Sequence, residues 1–157
     1  DRYLIEIIYN MKKLISVFIF LIGSFAGNSQ IFGEYAKVYG GNILFYPYSD
    51  SSSIFRLDVF RGPPSYNSGA LSGLVRFKGD NTYEFYEKDD SYMNCHLIMK
   101  LNADTLSIEV KDEKHECGFG YGVMPDGNFY LKDTTIPQFY YNGEGSKFYF
   151  KDMKFSE

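Results

Sequence analysis

The side chains best suited to chemistry in this chain lie in two short runs, Cys95-His96 and His115-Glu116-Cys117. Together they supply two thiols and two imidazoles, a ligand set that suits tetrahedral zinc. The spacing argues against that use. Neighbouring residues on a strand point to opposite faces, so Cys95 and His96 do not readily face one ion. The other chemistry open to two cysteines is a disulfide, which an oxidising compartment favours. Enzyme motifs are missing: there is no Gly-x-Ser-x-Gly elbow, no phosphate-binding glycine loop and no His-Glu-x-x-His. Asp89-Asp90 and Asp112-Glu113 are adjacent acids in turns, whereas glycosidase carboxylates need a set separation across a cleft. His96 sits in an apolar strand and reads as a strand-face residue rather than a general base. The expectation is a protein that is not an enzyme and has neither metal nor cofactor.

The compartment is legible near the amino terminus. Lys12 and Lys13 follow Met11, an apolar run extends from Leu14 to Ile22, and Gly23, Ser24, Ala26 and Gly27 close the segment. Basic, then apolar, then small is the order of a cleaved secretory signal. The apolar stretch is shorter than the roughly 20 residues a membrane-spanning helix needs. One long anchor from Leu4 to Phe25 would be interrupted by Glu6, Asn10, Lys12 and Lys13. Residues 1–10 read as translated upstream sequence, 11–29 as the signal peptide and 30–157 as a single β domain. The first cysteine is Cys95, so no lipid-attachment cysteine stands at the cleavage site. The expected product is exported, periplasmic or extracellular, with no membrane anchor in its mature form.

Without Arg2, Lys12, Lys13, Asp1 and Glu6 the remaining chain carries 13 basic and 18 acidic residues, a net charge of −5. That balance disfavours nucleic acid and anionic lipid. It suits a basic protein partner. It also serves to keep an exported protein soluble. Tyr and Phe each occur 15 times and Trp is absent. Such aromatic content fits half-buried strands and also binding surfaces.

The elements that must position these residues read as strands. Short apolar runs recur between turn residues, and no stretch after Gln30 shows a helical apolar period. Ile43–Tyr48 and Ile54–Phe60 flank a Ser/Asp cluster, and the second run, without clean alternation, suggests a strand covered on both faces. Gly62 to Gly69 contains Pro63-Pro64 and is a loop. Leu71–Lys78 and Tyr83–Glu87 form a hairpin around Gly79-Asp80-Asn81, and Cys95–Leu101 and Thr105–Val110 another around Asn102-Ala103-Asp104. Phe119–Met124 and Phe129–Lys132 flank an Asp-Gly turn. Phe139–Tyr141 and Lys147–Lys151 flank Asn142-Gly143-Glu144-Gly145. The fold class is all-β, a single antiparallel barrel or sandwich of about 8–10 short strands.

This strand reading puts a condition on the cysteines. If Cys117 opened a third strand beside Val110, a flat sheet would set its Cα about 9.5 Å from that of Cys95. A disulfide tolerates no more than roughly 7 Å. Pairing therefore requires a bulge, strong curling, or Cys117 still in the loop. The following run, Gly118-Phe119-Gly120-Tyr121-Gly122-Val123, alternates glycine with aromatics. As a strand it would carry all glycines on one face. The pattern suits either close packing against a neighbouring backbone or a flat site for a ligand or partner.

Cys117-Gly118-Phe119-Gly120, with Asp126-Gly127-Asn128-Phe129-Tyr130 after it, resembles a motif of small exported bacterial lysozyme-inhibitor-like proteins. In those proteins too a half-cystine precedes a hairpin. The resemblance runs over roughly Gly69 to Lys132. Related membrane-bound inhibitors use a serine in a Ser-Gly motif ending in an aromatic, and a lysine on a neighbouring loop. Ser72-Gly73 with Arg76-Phe77 is similar with one residue more, and no residue here matches the lysine. The resemblance implies a binding protein that inserts a loop into the cleft of a basic partner such as lysozyme. Tyr66 in the Gly62–Gly69 loop, Ser72 and Tyr121 are the expected contacts. A carrier holding a small apolar ligand inside a barrel, and a structural or assembly protein of the cell envelope, remain the alternatives. Mass spectrometry of the exported protein should find a chain that begins at Gly27 or Gln30, and retention of Lys12 would refute cleavage.

Overall fold

The computed structural model describes residues 31–88, 94–111 and 117–155. The signal segment 11–29, the residues before it, Asp89-Asp90, Asp112-Glu113 and His115 lie outside the described residues. Ten strands are present: β1 (Gly33–Ala36), β2 (Gly41–Ser49), β3 (Ser52–Phe60), β4 (Ser68–Gly79), β5 (Thr82–Lys88), β6 (Asn94–Asn102), β7 (Thr105–Val110), β8 (Gly127–Asp133), β9 (Phe139–Tyr141) and β10 (Lys147–Tyr149). The first eight form a closed barrel in sequence order, and the last two form a separate hairpin. Every neighbouring pair is antiparallel. The ring closes where Tyr35 and Ala36 of β1 meet Leu131 and Tyr130 of β8. No helix among the described residues is long and apolar enough to cross a membrane.

Alternation decides which side chains enter the barrel. Leu97, Met99 and Leu101 on β6 and Leu106 and Ile108 on β7 are all buried inside. Rings fill the centre: Tyr35 meets Phe45 edge-on at 6.3 Å, Phe45 lies 6.4 Å from Phe55, and Phe55 meets Phe85 edge-on at 5.1 Å. Eight strands leave a bore about wide enough for side chains or one small ligand. Here it is occupied by one packed cluster of buried residues. Gly73 is part of that fit, since a Cβ at this position would overlap the Phe85 ring.

The expected double coverage of β3 is present, and the C-terminal segment provides it. Phe55, Leu57 and Val59 join the interior cluster, while Ile54, with Leu74 of β4, faces outward and buries against Phe150. Phe150 stacks on Tyr46 with ring centroids 5.5 Å apart and parallel planes. It belongs to a short 3-10 turn, Phe150–Asp152, which follows β10. Arg56 lies beneath the same hairpin and is only 8% exposed. Its guanidinium donates to both oxygens of Asp58 at 2.7–3.1 Å and sits 4.8 Å from the Tyr140 ring centre. The charge is thus paired rather than stranded under an apolar lid.

Two expectations need correction. Phe119–Met124 is not a strand, and Asp126-Gly127 does not join a hairpin: the chain from Cys117 to Asp126 is irregular, and β8 begins at Gly127. The three glycines break the ladder, two of them with φ near +70°. Strand β1 is the element that periodicity did not reveal.

Burial pushes the Tyr35 hydroxyl up to about 12 from its ordinary value of 10, with Tyr83 and Asp104 adding to the effect. The folded state therefore holds this proton more tightly than the unfolded chain. Its contribution is complete below pH 10 and is lost as the pH rises from 10 toward about 12. Alkaline unfolding followed by circular dichroism should show less loss across this window for Tyr35→Phe than for the native chain. Identical pH profiles would contradict the assignment.

Candidate functional site

The strand directions give the barrel two unlike ends. One carries the tight connections β2–β3, β4–β5 and β6–β7. The other carries the β1–β2 turn, the β3–β4 loop and the Cys117–Asp126 segment. This second end displays the exposed apolar side chains. Tyr39 is 89% exposed, Tyr121 88% and Tyr66 72%, and Val38, Phe60 and Met124 are exposed beside them. Single exposed apolar residues are ordinary, but a collected set marks a contact surface.

The loops of this end are tied to one another. Asn67 Nδ2 donates to the Tyr121 carbonyl at 2.8 Å. The Gly120 amide donates to the Ser68 carbonyl at 3.2 Å, and that of Phe60 to the Gly40 carbonyl at 2.8 Å. Glycine is needed where these backbones meet. A Cβ on Gly120 would stand 2.9 Å from the Ser68 oxygen, and Gly122, at φ +72°, leaves room only for the Arg61 guanidinium. The glycine-aromatic run is therefore explained by close packing within the chain. Tyr66 itself has φ +50°, a left-handed conformation that a bulky side chain rarely adopts. Its amide donates to the Gly62 carbonyl at 2.9 Å and closes the turn.

Anchors reach from this surface into the barrel. Cys95 and Cys117 form a disulfide with Cα atoms 4.5 Å apart. Cys117 follows the end of β7 in a bend and does not open a third strand, which resolves the spacing condition. Val123 and both cysteines join the interior cluster. Lys37 Nζ donates to the Asp126 carbonyl at 2.6 Å and to the Met124 carbonyl at 3.1 Å, and lies 4.9 Å from the centre of the Phe129 ring. Burial pushes the Lys37 ammonium below its ordinary pKa, and the nearby Asp126 opposes that shift. Asp126 Oδ1 in turn accepts the Val110 amide at 3.0 Å. Two clefts flank the loops, one of about 380 Å³ beside Phe119 and Tyr121 and one of about 850 Å³ between Tyr39 and Pro63.

Of the three expected contact residues, the structure brings Tyr66 and Tyr121 together on adjoining loops. Ser72 lies apart from them. It sits in the middle of β4 opposite Arg56, on the outer wall rather than in a turn, and its hydroxyl accepts from Arg56 Nη1 at 3.2 Å. Val38, Tyr39, Phe60 and Met124 were missed by sequence reasoning. The signal for the first two was present, an apolar pair directly before Gly40-Gly41 in a turn.

His96 faces outward from β6, with Nε2 3.0 Å from Glu84 Oε1 and its ring against Tyr86. Hydrogen bonds from Lys78 and then His96 hold the Glu84 carboxyl below its ordinary pKa. Cys95 points into the barrel, so the two neighbours do face opposite ways. Among the described residues no three His, Cys, Asp or Glu side chains are gathered as a metal site requires. Comparison with protein-family models, curated proteins and solved structures finds no match to this chain. The protein is a closed, disulfide-tied antiparallel barrel, an architecture compatible with a binding or carrier protein.

Replacing both cysteines by Ala should lower stability by about 2–5 kcal/mol, the usual cost of losing such a bridge from a small domain. Denaturant unfolding would measure it, and thiol labelling of the unreduced native protein should find no free cysteine.

Proposed function

We propose that this is an exported binding protein that has no chemistry of its own and engages a basic protein partner through the loop end of its barrel, with a lysozyme as the leading candidate. The observation that carries the reading is the convergence of Tyr39, Tyr66 and Tyr121, all strongly exposed, on loops that are hydrogen-bonded to one another. Tyr is suited to such a surface because it offers a large amphipathic contact with few rotatable bonds. Pre-ordered loops lower the entropy lost on association.

Charge supports the choice of partner. The chain after the signal segment carries a net charge of −5, which steers a basic protein toward it. A disulfide is itself more typical of exported than of cytosolic chains. The lysozyme-inhibitor-like motif covers Cys117–Gly120 at the base of the same surface. The filled interior directs recognition to the outside. The carrier alternative retains one feature, a cleft of about 590 Å³ at the opposite end, lined by Phe32, Phe77 and Tyr83 and by the serines of the β2–β3 turn.

The test is titration of the purified domain against basic lysozymes, with binding read by calorimetry and inhibition by lysis of a peptidoglycan suspension. Binding should weaken as salt rises. The double variant Tyr66→Ser with Tyr121→Ser should weaken it by at least about tenfold, as for central interface aromatics. Absence of binding at about micromolar concentration and low salt would remove lysozyme and shift preference to the carrier reading.

A further inference from the structure

A second recessed surface lies on the outer wall, where the C-terminal hairpin leans on the barrel; it adjoins the 850 Å³ loop-end cleft, with which it shares Glu34 and Asn42. Between β1, β2 and β3 on one side and residues 133–141 on the other is a cleft of about 490 Å³. That volume is in the range of small-molecule sites. Its polar wall comes from Glu34, Asn42 and Asp58, and its aromatic wall from Tyr140 and Tyr141. Nothing in the loop-end reading uses it.

We propose that this cleft binds a neutral saccharide. The charges select the ligand by elimination. Glu34 Oε1 already accepts from Lys132 Nζ at 2.8 Å, and both oxygens of Asp58 accept from Arg56. Asp133 Oδ1 takes the Thr135 amide at 2.8 Å. Two of the three carboxylates are thus paired, Glu34 with Lys132 and Asp58 with Arg56, so a cationic ligand would compete there with groups that are already seated. An anionic ligand would meet Glu34, Asp58 and Asp133 at close range. A wholly apolar one would strip water from those carboxylates without replacing it.

A neutral, hydroxyl-rich ligand fits each constraint. An ionised carboxylate offers about four acceptor positions, so those held by Lys132 and Arg56 can still receive sugar hydroxyls. The Asn42 side-chain amide makes no hydrogen bond to any described residue and is free to donate and accept. Gln138 commits only its Nε2, to the Ile136 carbonyl at 3.1 Å. The apolar C–H face of a pyranose would rest on an exposed ring, whose negative face attracts it. Tyr141, 57% exposed and braced edge-on by Phe139 at 5.6 Å, presents such a ring.

The experiment is NMR titration of the whole domain with maltose, cellobiose, spermidine and galacturonate as separate probes. A neutral disaccharide should shift the amides of Glu34, Asn42 and residues 133–141 saturably, with Kd of about 1 mM or tighter. Tyr141→Ala should weaken that binding about tenfold, while Tyr149→Ala, on the same hairpin outside the cleft, should not change it. Dispersed spectra of both variants show that they are folded. The proposal is overturned if neither disaccharide shifts these amides at about 50 mM. It is equally overturned if spermidine or galacturonate binds the cleft more tightly than either sugar, or if folded Tyr141→Ala binds like the native chain. Tyr66 and Tyr121 do not line this cleft, so loss of lysozyme binding by their variants leaves this result unaffected, and the two readings fail independently.

Discussion

Closure of the backbone ladder between β1 and β8 is the constraint on which the rest of the molecule depends. It fixes the bore at eight strands, and an eight-stranded bore holds little more than its own side chains. Tyr35, Phe45, Phe55 and Phe85 span that bore ring against ring. Gly73 yields its side-chain volume to Phe85. Opening the ring would expose two unpaired strand edges and wet this cluster at the same time. Packing and hydrogen bonding thus enforce one another, and the interior is committed to stability. The surface open to other molecules is that of the ends and the outer wall.

The loop end shows how that commitment is used. Exposed aromatics on free loops would lose much of their contact energy to ordering on association. Here the Cys117–Asp126 segment and the β1–β2 turn are tied back to buried groups, and the β3–β4 loop is bonded to the first of them. Cys117 is held to Cys95, Val123 enters the interior cluster, and Lys37 spans from the β1–β2 turn to the carbonyls of Met124 and Asp126. The ammonium of Lys37 gives up some of its hydration to do so, which is why its pKa falls, and two carbonyls and the Phe129 ring replace that water. Rigid anchors thus lie below and exposed tyrosines above.

Much of this was legible in the sequence because period-two alternation is a direct consequence of strand geometry. Leu97, Met99 and Leu101, with Leu106 and Ile108, disclosed β6 and β7 and their buried face. The uneven pattern of Ile54 to Val59 disclosed that β3 is covered on both sides, though not by what. The covering hairpin was visible as two strands around Asn142–Gly145, but its docking on Ile54 and Leu74 is a tertiary fact. β1 escaped because four residues are too few to establish a period. The Gly118–Val123 run misled because glycine-aromatic alternation imitates a strand, while Gly118 and Gly122 adopt positive φ and turn the chain instead. Tyr66 and Tyr121 lie 55 positions apart in the chain. Their proximity follows from the barrel order and the Asn67 hydrogen bond, neither of which a linear pattern encodes.

The C-terminal hairpin completes the physical argument. Without it the barrel wall would present Ile54 and Leu74 to water, together with an Arg56–Asp58 pair open to solvent. With it, Phe150 seals the apolar pair and Tyr140 lies over the guanidinium. Sealing raises the cost of any unpaired charge, because attraction and desolvation both grow as water is excluded. Ser72 is held in the same way, as an acceptor for Arg56, and that makes it a member of the wall's polar network. The hairpin covers β3 and part of β2 but stops short of β1, and its rim forms the cleft beside Glu34 and Asn42. The same docking that buries the outer apolar cluster therefore creates a recessed polar surface at its edge, on the wall beside the loop-end cleft.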